Sequence, residues 1–90
     1  MADARGAPLK VGENAWQLPG TLPLTELSRL LQTPAPATNE YHTVAGLALN
    51  HLRRIPVAGD RFSWKGWSFE IQGLEGHRIE RLLVSREAGR

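Results

Sequence analysis

Residues 41–60, YHTVAGLALNHLRRIPVAGD, decide the fold because a helix, its end and a turn follow one another there. The hydroxyl of Thr43 can accept a free backbone N–H of the first helical turn. Apolar residues recur at helical spacing over more than half the circumference, namely Val44, Ala45, Leu47, Ala48, Leu49 and Leu52. This pattern predicts a largely buried helix over residues 43–54.

The end of this helix is marked by charge and by proline. Arg53 and Arg54 fall in the predicted last turn, where positive charge suits the exposed carbonyl groups. Pro56 cannot continue a helix and favours an extended conformation for Ile55. The pair Gly59-Asp60 then predicts a turn into a run of strands.

The composition is that of one small globular domain, with 90 residues of which 41% are hydrophobic and 22% charged. The absence of cysteine excludes disulfides, thiolate catalysis and cysteine-ligated zinc. The formal net charge is only +2 and acidic residues are spread among the basic ones, so we expect no nucleic-acid partner. The longest apolar run, within 44–49, is far shorter than the about 20 residues of a spanning helix, so we expect no direct membrane insertion.

The chain divides into three parts by composition. Residues 1–12 hold small residues, proline and charges without a period, which predicts a disordered leader or a remnant left by cutting a longer chain. Residues 13–86 are predicted to form the domain, and residues 87–90 a tail. Inside the domain, the polar segment 32–40, QTPAPATNE, is expected to be an exposed loop.

Two short elements are predicted before the central helix. A strand is expected over 14–18 with Trp16 turned inward, and Pro19-Gly20 signals a turn after it. A helix is expected over 23–31, with Pro23 in its first position, where the missing N–H has no consequence. Its apolar face consists of Leu24, Leu27, Leu30 and Leu31.

After residue 60 the apolar pattern changes to a period of two on both sides of a two-residue turn, Lys65-Gly66. This predicts a hairpin whose aromatic side chains share one face. In the last strand, 77–85, the apolar residue Ile79 is at an odd position whereas Leu82 and Val84 are at even positions. A bulge near Arg81 would place all three on the same face of the sheet. The alternating residues of the hairpin are Phe62, Trp64, Trp67, Phe69 and Ile71.

Together these elements predict an α+β domain. The sheet is expected to be small and mostly antiparallel, in the order β-α-α-β-β-β, with two short helices covering one face. Gly46, in the middle of the central helix, is expected to allow close packing against the sheet, since glycine otherwise costs a helix about 1 kcal/mol.

The side chains that could carry chemistry are dispersed. No two histidines are three or four residues apart and there is no H-E-x-x-H motif, so we expect no metal site. There is no G-x-S-x-G elbow, and the carboxylates occupy positions typical of solvated residues, so we expect no catalytic residue and no enzyme activity. No motif identifies cofactor-binding residues. The histidine, serine and carboxylate residues concerned are His42, His51, His77, Ser28, Ser63, Ser68, Ser85, Asp60, Glu70, Glu75 and Glu80.

Trp64 and Trp67 leave two interpretations open. Basic residues lie near them in the sequence, and an aromatic and basic platform can stack nucleic-acid bases. Their alternation with other apolar residues favours instead the core face of the sheet, which is the stronger interpretation. The basic residues concerned are Arg61, Lys65 and Arg78.

Five short motifs follow one another between residues 14 and 86. They are LPL (22–24) with EL (26–27), YHTVAGL (41–47), RIP (54–56) followed by GD (59–60), GWSFEI (66–71) and RI (78–79). In this order and spacing they resemble the CorC/HlyC transporter-associated domain, the C-terminal cytoplasmic part of hemolysin-like and magnesium/cobalt efflux membrane proteins.

The resemblance implies a non-catalytic accessory or regulatory domain that modulates ion transport on the cytoplasmic side of the cell membrane. The implied partners are the CBS and transmembrane domains of the parent protein, with self-association as an open alternative. The fold is similar to part of the FAD-binding fold of the vanillyl-alcohol-oxidase type. A flavin or nucleotide-binding module is therefore the alternative function, but FAD follows only from that likeness, and otherwise no cofactor is expected.

Two residues depart from the family pattern. An acidic residue is usual at the position of His42, where it would favour the positive helix start. Glycine is frequent at the position of Arg53, so we expect the end of the helix to depend more on Pro56 in this chain.

Overall fold

The computed structural model describes residues 7–87, which form a five-stranded antiparallel sheet and two helices. Predictions that fall on residues 1–6 and 88–90 lie outside the described residues. In chain order the elements are β1 (Leu9–Gly12), β2 (Ala15–Pro19), α1 (Leu24–Leu31), α2 (Val44–Leu52), β3 (Arg61–Trp64), β4 (Trp67–Glu75) and β5 (Arg78–Arg86). Within residues 7–87, neither helix is long and apolar enough to cross a bilayer.

The strands are ordered β1-β2-β5-β4-β3, and every neighbouring pair is antiparallel. Both helices pack on the same face of the sheet, where alternate strand residues and the helix leucines form one core. The predicted α+β class and the two-helix cover are confirmed. The largest fully buried side chains are those of Phe69, Leu18, Leu27, Leu47, Ile71, Leu82, Val44 and Val84.

The prediction that residues 1–12 form a disordered leader is wrong for residues 9–12, which are strand β1. All four residues are exposed, so their side chains show no buried period. The strand is held by its backbone ladder to β2, and the Lys10 ammonium lies 5.5 Å from the centre of the Trp16 ring. The element order is therefore β-β-α-α-β-β-β, and the described domain begins before residue 13.

The two helix starts are tied to each other through backbone hydrogen bonds. The N–H of Leu24 donates to the His42 carbonyl, and the N–H of Val44 donates to the Leu22 carbonyl, both at 2.9 Å. As predicted, the Thr43 hydroxyl accepts the Gly46 N–H, at 3.2 Å. Free N–H groups at both helix starts are thereby satisfied.

The prediction that Pro23 is the first helical residue is wrong by one position. Helix α1 begins at Leu24, and Pro23 precedes it with an extended ψ of 147°.

The predicted aromatic hairpin is confirmed. Phe62 pairs with Phe69 and Trp64 with Trp67 across β3 and β4. Lys65 and Gly66 both have positive φ, 52° and 83°, as a two-residue turn of this hand requires.

The predicted bulge near Arg81 is also confirmed. The register between β4 and β5 shifts on both sides of Gly73, which pairs with Arg81. This irregularity lets Ile79 and Leu82 both reach the core although they are three residues apart.

Gly46 allows a close approach, but not to the sheet. A Cβ built at Gly46 would lie 2.5 Å from the Cβ of Tyr41, in the segment that leads into α2. The sheet-facing explanation of this glycine is therefore wrong, because the chain folds back on its own helix start.

Candidate interaction surface

The segment between α2 and β3, Arg53–Asp60, is named here the exit loop. Helix α2 ends at Leu52, two residues earlier than predicted. Arg53 follows it in the left-handed conformation, with φ at 58°, and its N–H donates to the Leu49 carbonyl at 2.9 Å. Arg53 and Arg54 therefore lie beyond the last turn, and the helix ends four residues before Pro56.

Asp60 closes the exit loop. One carboxylate oxygen accepts the Val57 N–H at 2.9 Å, and the other accepts an Arg54 guanidinium N–H at 2.6 Å. The backbone N–H of Asp60 also donates to the Val57 carbonyl, at 3.1 Å. The prediction that Asp60 is an ordinary solvated carboxylate is wrong, because this side chain keeps only 9% of its exposure.

These contacts stabilise the ionised form of Asp60. The hydrogen bond from the Val57 backbone lowers the pKa of the Asp60 carboxyl below its usual 3.8. Partial burial of the carboxyl acts in the opposite direction, and the Arg54 guanidinium adds to the lowering. The charge of Asp60 is thus used inside the loop.

The exit loop is anchored at both ends. On its sheet side, Gly59 donates its N–H to the Ile71 carbonyl and Ile71 donates its N–H to the Asp60 carbonyl, both at 2.8 Å. On its helix side, the ring of His51 stacks on Phe62, with ring centres 5.0 Å apart. Phe62 stacks in turn on buried Phe69, at 4.8 Å. The loop is therefore held on a packed base.

The exit loop holds two aliphatic side chains toward solvent. Pro56 is buried, whereas Ile55 and Val57 on either side of it are 61% and 53% exposed. Leu49, which the sequence pattern placed in the buried stripe of the helix, is also exposed. Single exposed aliphatic residues are common on proteins, but here two are aimed outward by an ordered loop. This surface is the candidate functional site.

Among the described residues, the histidine and carboxylate side chains do not form a cluster that could hold a metal ion. Among residues 7–87, no group of three or more histidine and carboxylate side chains is placed to hold a metal ion. The ring of His51 meets the Leu47 carbonyl at 3.1 Å. The Ser63 hydroxyl donates a hydrogen bond to the Glu87 carboxylate. Three other carboxylates form ion pairs with arginines. The pairs are Glu70 with Arg61, and Glu75 and Glu80 with Arg78.

The tryptophans belong to the core, as their alternation predicted. Trp64 and Trp67 are only 9% and 8% exposed. The Lys65 ammonium lies 5.7 Å from the centre of the Trp64 ring, and the Arg86 guanidinium lies 5.5 Å from that of Trp67. Rings covered in this way do not form an open stacking platform.

The exposure of the exit loop was not predicted from the sequence. The run RRIPVAGD predicts a helix end and a turn, and its pattern does not indicate a function for its apolar residues. A usable signal was present, because a proline between two aliphatic residues in an extended segment places both on the same side.

A protein-family model described as a transporter associated domain, CorC_HlyC, matches residues 9–88. The polyamine export protein of Salmonella typhimurium is 33% identical over 75 residues, which are 82% of this chain and 17% of that protein. The polyamine export protein of Haemophilus influenzae is 34% identical over 74 residues, again 17% of its length. The chain therefore spans less than a fifth of the length of these curated relatives.

Solved structures show the same fold. The transporter associated domain of a Xylella fastidiosa hemolysin, in complex with Mg²⁺ and Mn²⁺, is 38% identical with a TM-score of 0.79. The match covers 90% of this chain and 98% of that one. A CorC_HlyC domain from Haemophilus ducreyi is 30% identical with a TM-score of 0.78 and the same coverage.

Proposed function

This chain belongs to the CorC/HlyC family of transporter-associated domains, and we propose that it is a non-catalytic accessory domain that regulates export by a membrane transporter. The observation that carries the proposal is the family match over residues 9–88, which takes in every described helix and strand. The domain acts on the cytoplasmic side of the membrane, where it contacts the CBS and transmembrane domains of its parent. Self-association of the domain is a second kind of contact open to it.

The cargo of the parent is a cation in this proposal. The relatives from Salmonella typhimurium and Haemophilus influenzae bear the name polyamine export protein, and polyamines are positively charged at neutral pH. The related Xylella domain is described in complex with Mg²⁺ and Mn²⁺. Magnesium or cobalt and polyamines are therefore the two cargo classes to separate by experiment.

A regulatory role is supported by how the polar side chains are used. Asp60 shapes the exit loop, and the carboxylates of Glu70, Glu75 and Glu80 pair with arginines on the surface. We propose no catalytic residue and no cofactor. A flavin or nucleotide module, the alternative interpretation of the sequence, has no supporting observation among the described residues.

The exit loop is the surface through which the domain acts in this proposal. A contact that transmits a signal is best made by a rigid element, because a mobile loop would lose conformational entropy on binding. The Arg54–Asp60 pair and the backbone bonds to Ile71 supply that rigidity. Ile55 and Val57 supply apolar area for the contact.

The proposal is tested by removing residues 9–88 from the parent transporter. Export of a radiolabelled polyamine, of Mg²⁺ and of Co²⁺ is measured in cells without other exporters, with membrane abundance of the truncated parent as control. We expect export of one cargo class to continue at an altered rate or with altered dependence on cargo concentration. Unchanged rate and unchanged dependence for all three cargoes would refute regulation by this domain.

A further inference from the structure

The exit loop, together with Arg61 at the start of β3, combines exposed aliphatic residues with positive charge. Residues 53–61 contain three arginines and one aspartate, and their net charge of +2 equals that of the whole chain. The remainder of the chain is therefore neutral overall. Counted along the sequence, the net positive charge of this protein therefore falls in the segment that also carries Ile55 and Val57.

In the ion pairs of these arginines, the arginine side chain is more exposed than the carboxylate side chain. In the Arg54–Asp60 pair, the arginine side chain is 55% exposed and the aspartate 9%. In the Arg61–Glu70 pair, the corresponding values are 69% and 32%. Arg53 forms no ion pair with another residue of the described chain. In both pairs the guanidinium group is thus more exposed to solvent than the carboxylate.

We propose that the exit loop docks the domain on the anionic lipid headgroups of the membrane in which the parent transporter lies. The guanidinium groups of Arg53, Arg54 and Arg61 meet the lipid phosphates, and Ile55 and Val57 enter the boundary between headgroups and acyl chains. No element crosses the bilayer in this contact. The proposal rests on the proposed function, because only a domain tethered to a membrane protein is kept next to such a surface.

The chemistry of the loop fits lipid better than a protein pocket. Binding at a membrane surface combines buried apolar area with attraction to anionic lipids and needs no shape-matched partner. Ile55 and Val57 supply the apolar area, and the three arginines supply the attraction to anionic lipids. The contact is weak for a free domain, but tethering raises its effective concentration at the membrane, so a weak contact suffices for regulation.

The direct test is sedimentation of the 90-residue chain with vesicles. One set contains equal parts of phosphatidylglycerol and phosphatidylcholine, and the other phosphatidylcholine alone. We expect binding to the anionic vesicles only, with a partition coefficient that falls as salt shortens the range of the charges. Equal binding to both sets, or no binding to the anionic set at low salt, would overturn the proposal.

Variants locate the contact. Ile55→Ser combined with Val57→Ser should weaken binding about tenfold, because both changes remove apolar surface from the contact. Arg53→Gly should weaken it about fivefold, because one basic residue near an anionic surface is lost. The left-handed backbone of Arg53 suits glycine, so this variant keeps its fold. Circular dichroism checks both proteins.

Matched controls lie far along the chain from the loop. Leu9→Ser combined with Val11→Ser removes two similarly exposed aliphatic residues from β1. Arg29→Ala removes one exposed arginine from α1. Both controls should bind like the original chain, and loop variants that also bind like it would overturn the assignment.

Vesicle binding and export separate this proposal from the proposed function. If deletion of the domain alters export while the isolated chain ignores anionic vesicles, regulation stands and lipid docking fails. In that case, loss of regulation in the Ile55→Ser, Val57→Ser parent would assign the loop to a protein surface of the parent.

Discussion

The guanidinium of Arg54 donates a 2.6 Å hydrogen bond to the carboxylate of Asp60, six residues later. The other oxygen of that carboxylate accepts the Val57 N–H, so one side chain holds both the start and the turn of the exit loop. The loop then presents Ile55 and Val57 from a fixed backbone. One ionised group therefore shapes the candidate surface together with the backbone hydrogen bonds of the loop.

The charge of Asp60 makes the stability of the domain depend on pH. Its pKa is lowered in the folded chain, mainly by the Val57 N–H, so its contribution is present above the unfolded value of about 3.8. That contribution is lost as pH falls from there through the folded pKa. Asp60→Asn should lower the melting temperature by a few degrees at neutral pH and remove this part of the acid dependence.

Thermal unfolding from pH 7 to pH 3 measures the effect. Glu80→Gln is the control, because its carboxylate lies on the exposed surface beside Arg78. Identical melting curves for Asp60→Asn and the original chain at neutral pH would show that Asp60 does not hold the loop.

Replacing Arg53 should stabilise the domain. Arg53 has a φ of 58°, a conformation that costs an L-residue about 1–2 kcal/mol and glycine almost nothing. Glycine has more conformational freedom in the unfolded chain, and this reduces the gain. Arg53→Gly should therefore raise the free energy of unfolding by about 0.5–1 kcal/mol. Urea denaturation measures it.

The matched change is Arg29→Gly inside α1. It should lower the free energy of unfolding by about 1 kcal/mol, because glycine is unfavourable within a helix. Destabilisation by both substitutions would contradict the left-handed helix end.

Gly20 joins the sheet to the start of α2. A Cβ at this position would lie 2.0 Å from the Ile79 carbonyl oxygen, which is backbone and cannot turn aside. The Gly20 carbonyl also accepts the Ala45 N–H at 2.9 Å. Gly20→Ala should lower the free energy of unfolding by about 2–3 kcal/mol.

Gly12→Ala provides the comparison for this glycine. Its Cβ would meet the Cβ of Ala15 at 3.4 Å, an ordinary contact, so the change should stay within about 0.5 kcal/mol. Similar losses for the two alanine variants in urea denaturation would argue against the close approach at Gly20.

The burial of Trp64 and Trp67 is measurable by fluorescence. In a Trp16→Phe variant these two remain, and their emission should be blue-shifted and weakly quenched by acrylamide. An oligonucleotide should leave the emission unchanged. Red-shifted emission that an oligonucleotide quenches would instead favour nucleic-acid binding.

The sequence predicts those elements whose side chains have a clear burial period. The hairpin of β3 and β4 is predictable because alternation and the Lys65-Gly66 turn agree. Helix α2 is predictable because Thr43 and the apolar spacing agree. Strand β1 is not, because all its residues are exposed and its place is fixed by backbone bonds to β2.

The sequence places Ile55 and Val57 on the same side of their segment, but it does not show whether that side faces solvent or the core. The direction of Ile55 and Val57 depends on the fold of the loop. That fold is held by the hydrogen bonds that the Asp60 carboxylate accepts from Arg54 and from the Val57 N–H. The residue types of RIPVAGD could be read as well for a buried connection as for an exposed one. Arg53 likewise ends α2 through a left-handed conformation that favours glycine.

The decisive measurement is export by the intact parent transporter carrying Ile55→Ser and Val57→Ser, compared with the parent lacking residues 9–88. Leu9→Ser with Val11→Ser serves as the exposed control. Regulation through the exit loop predicts that the loop variant shows the altered export of the deletion, whereas the β1 variant exports like the original protein. A loop variant that keeps normal export and normal regulation, beside a deletion that changes them, would contradict the role of this surface.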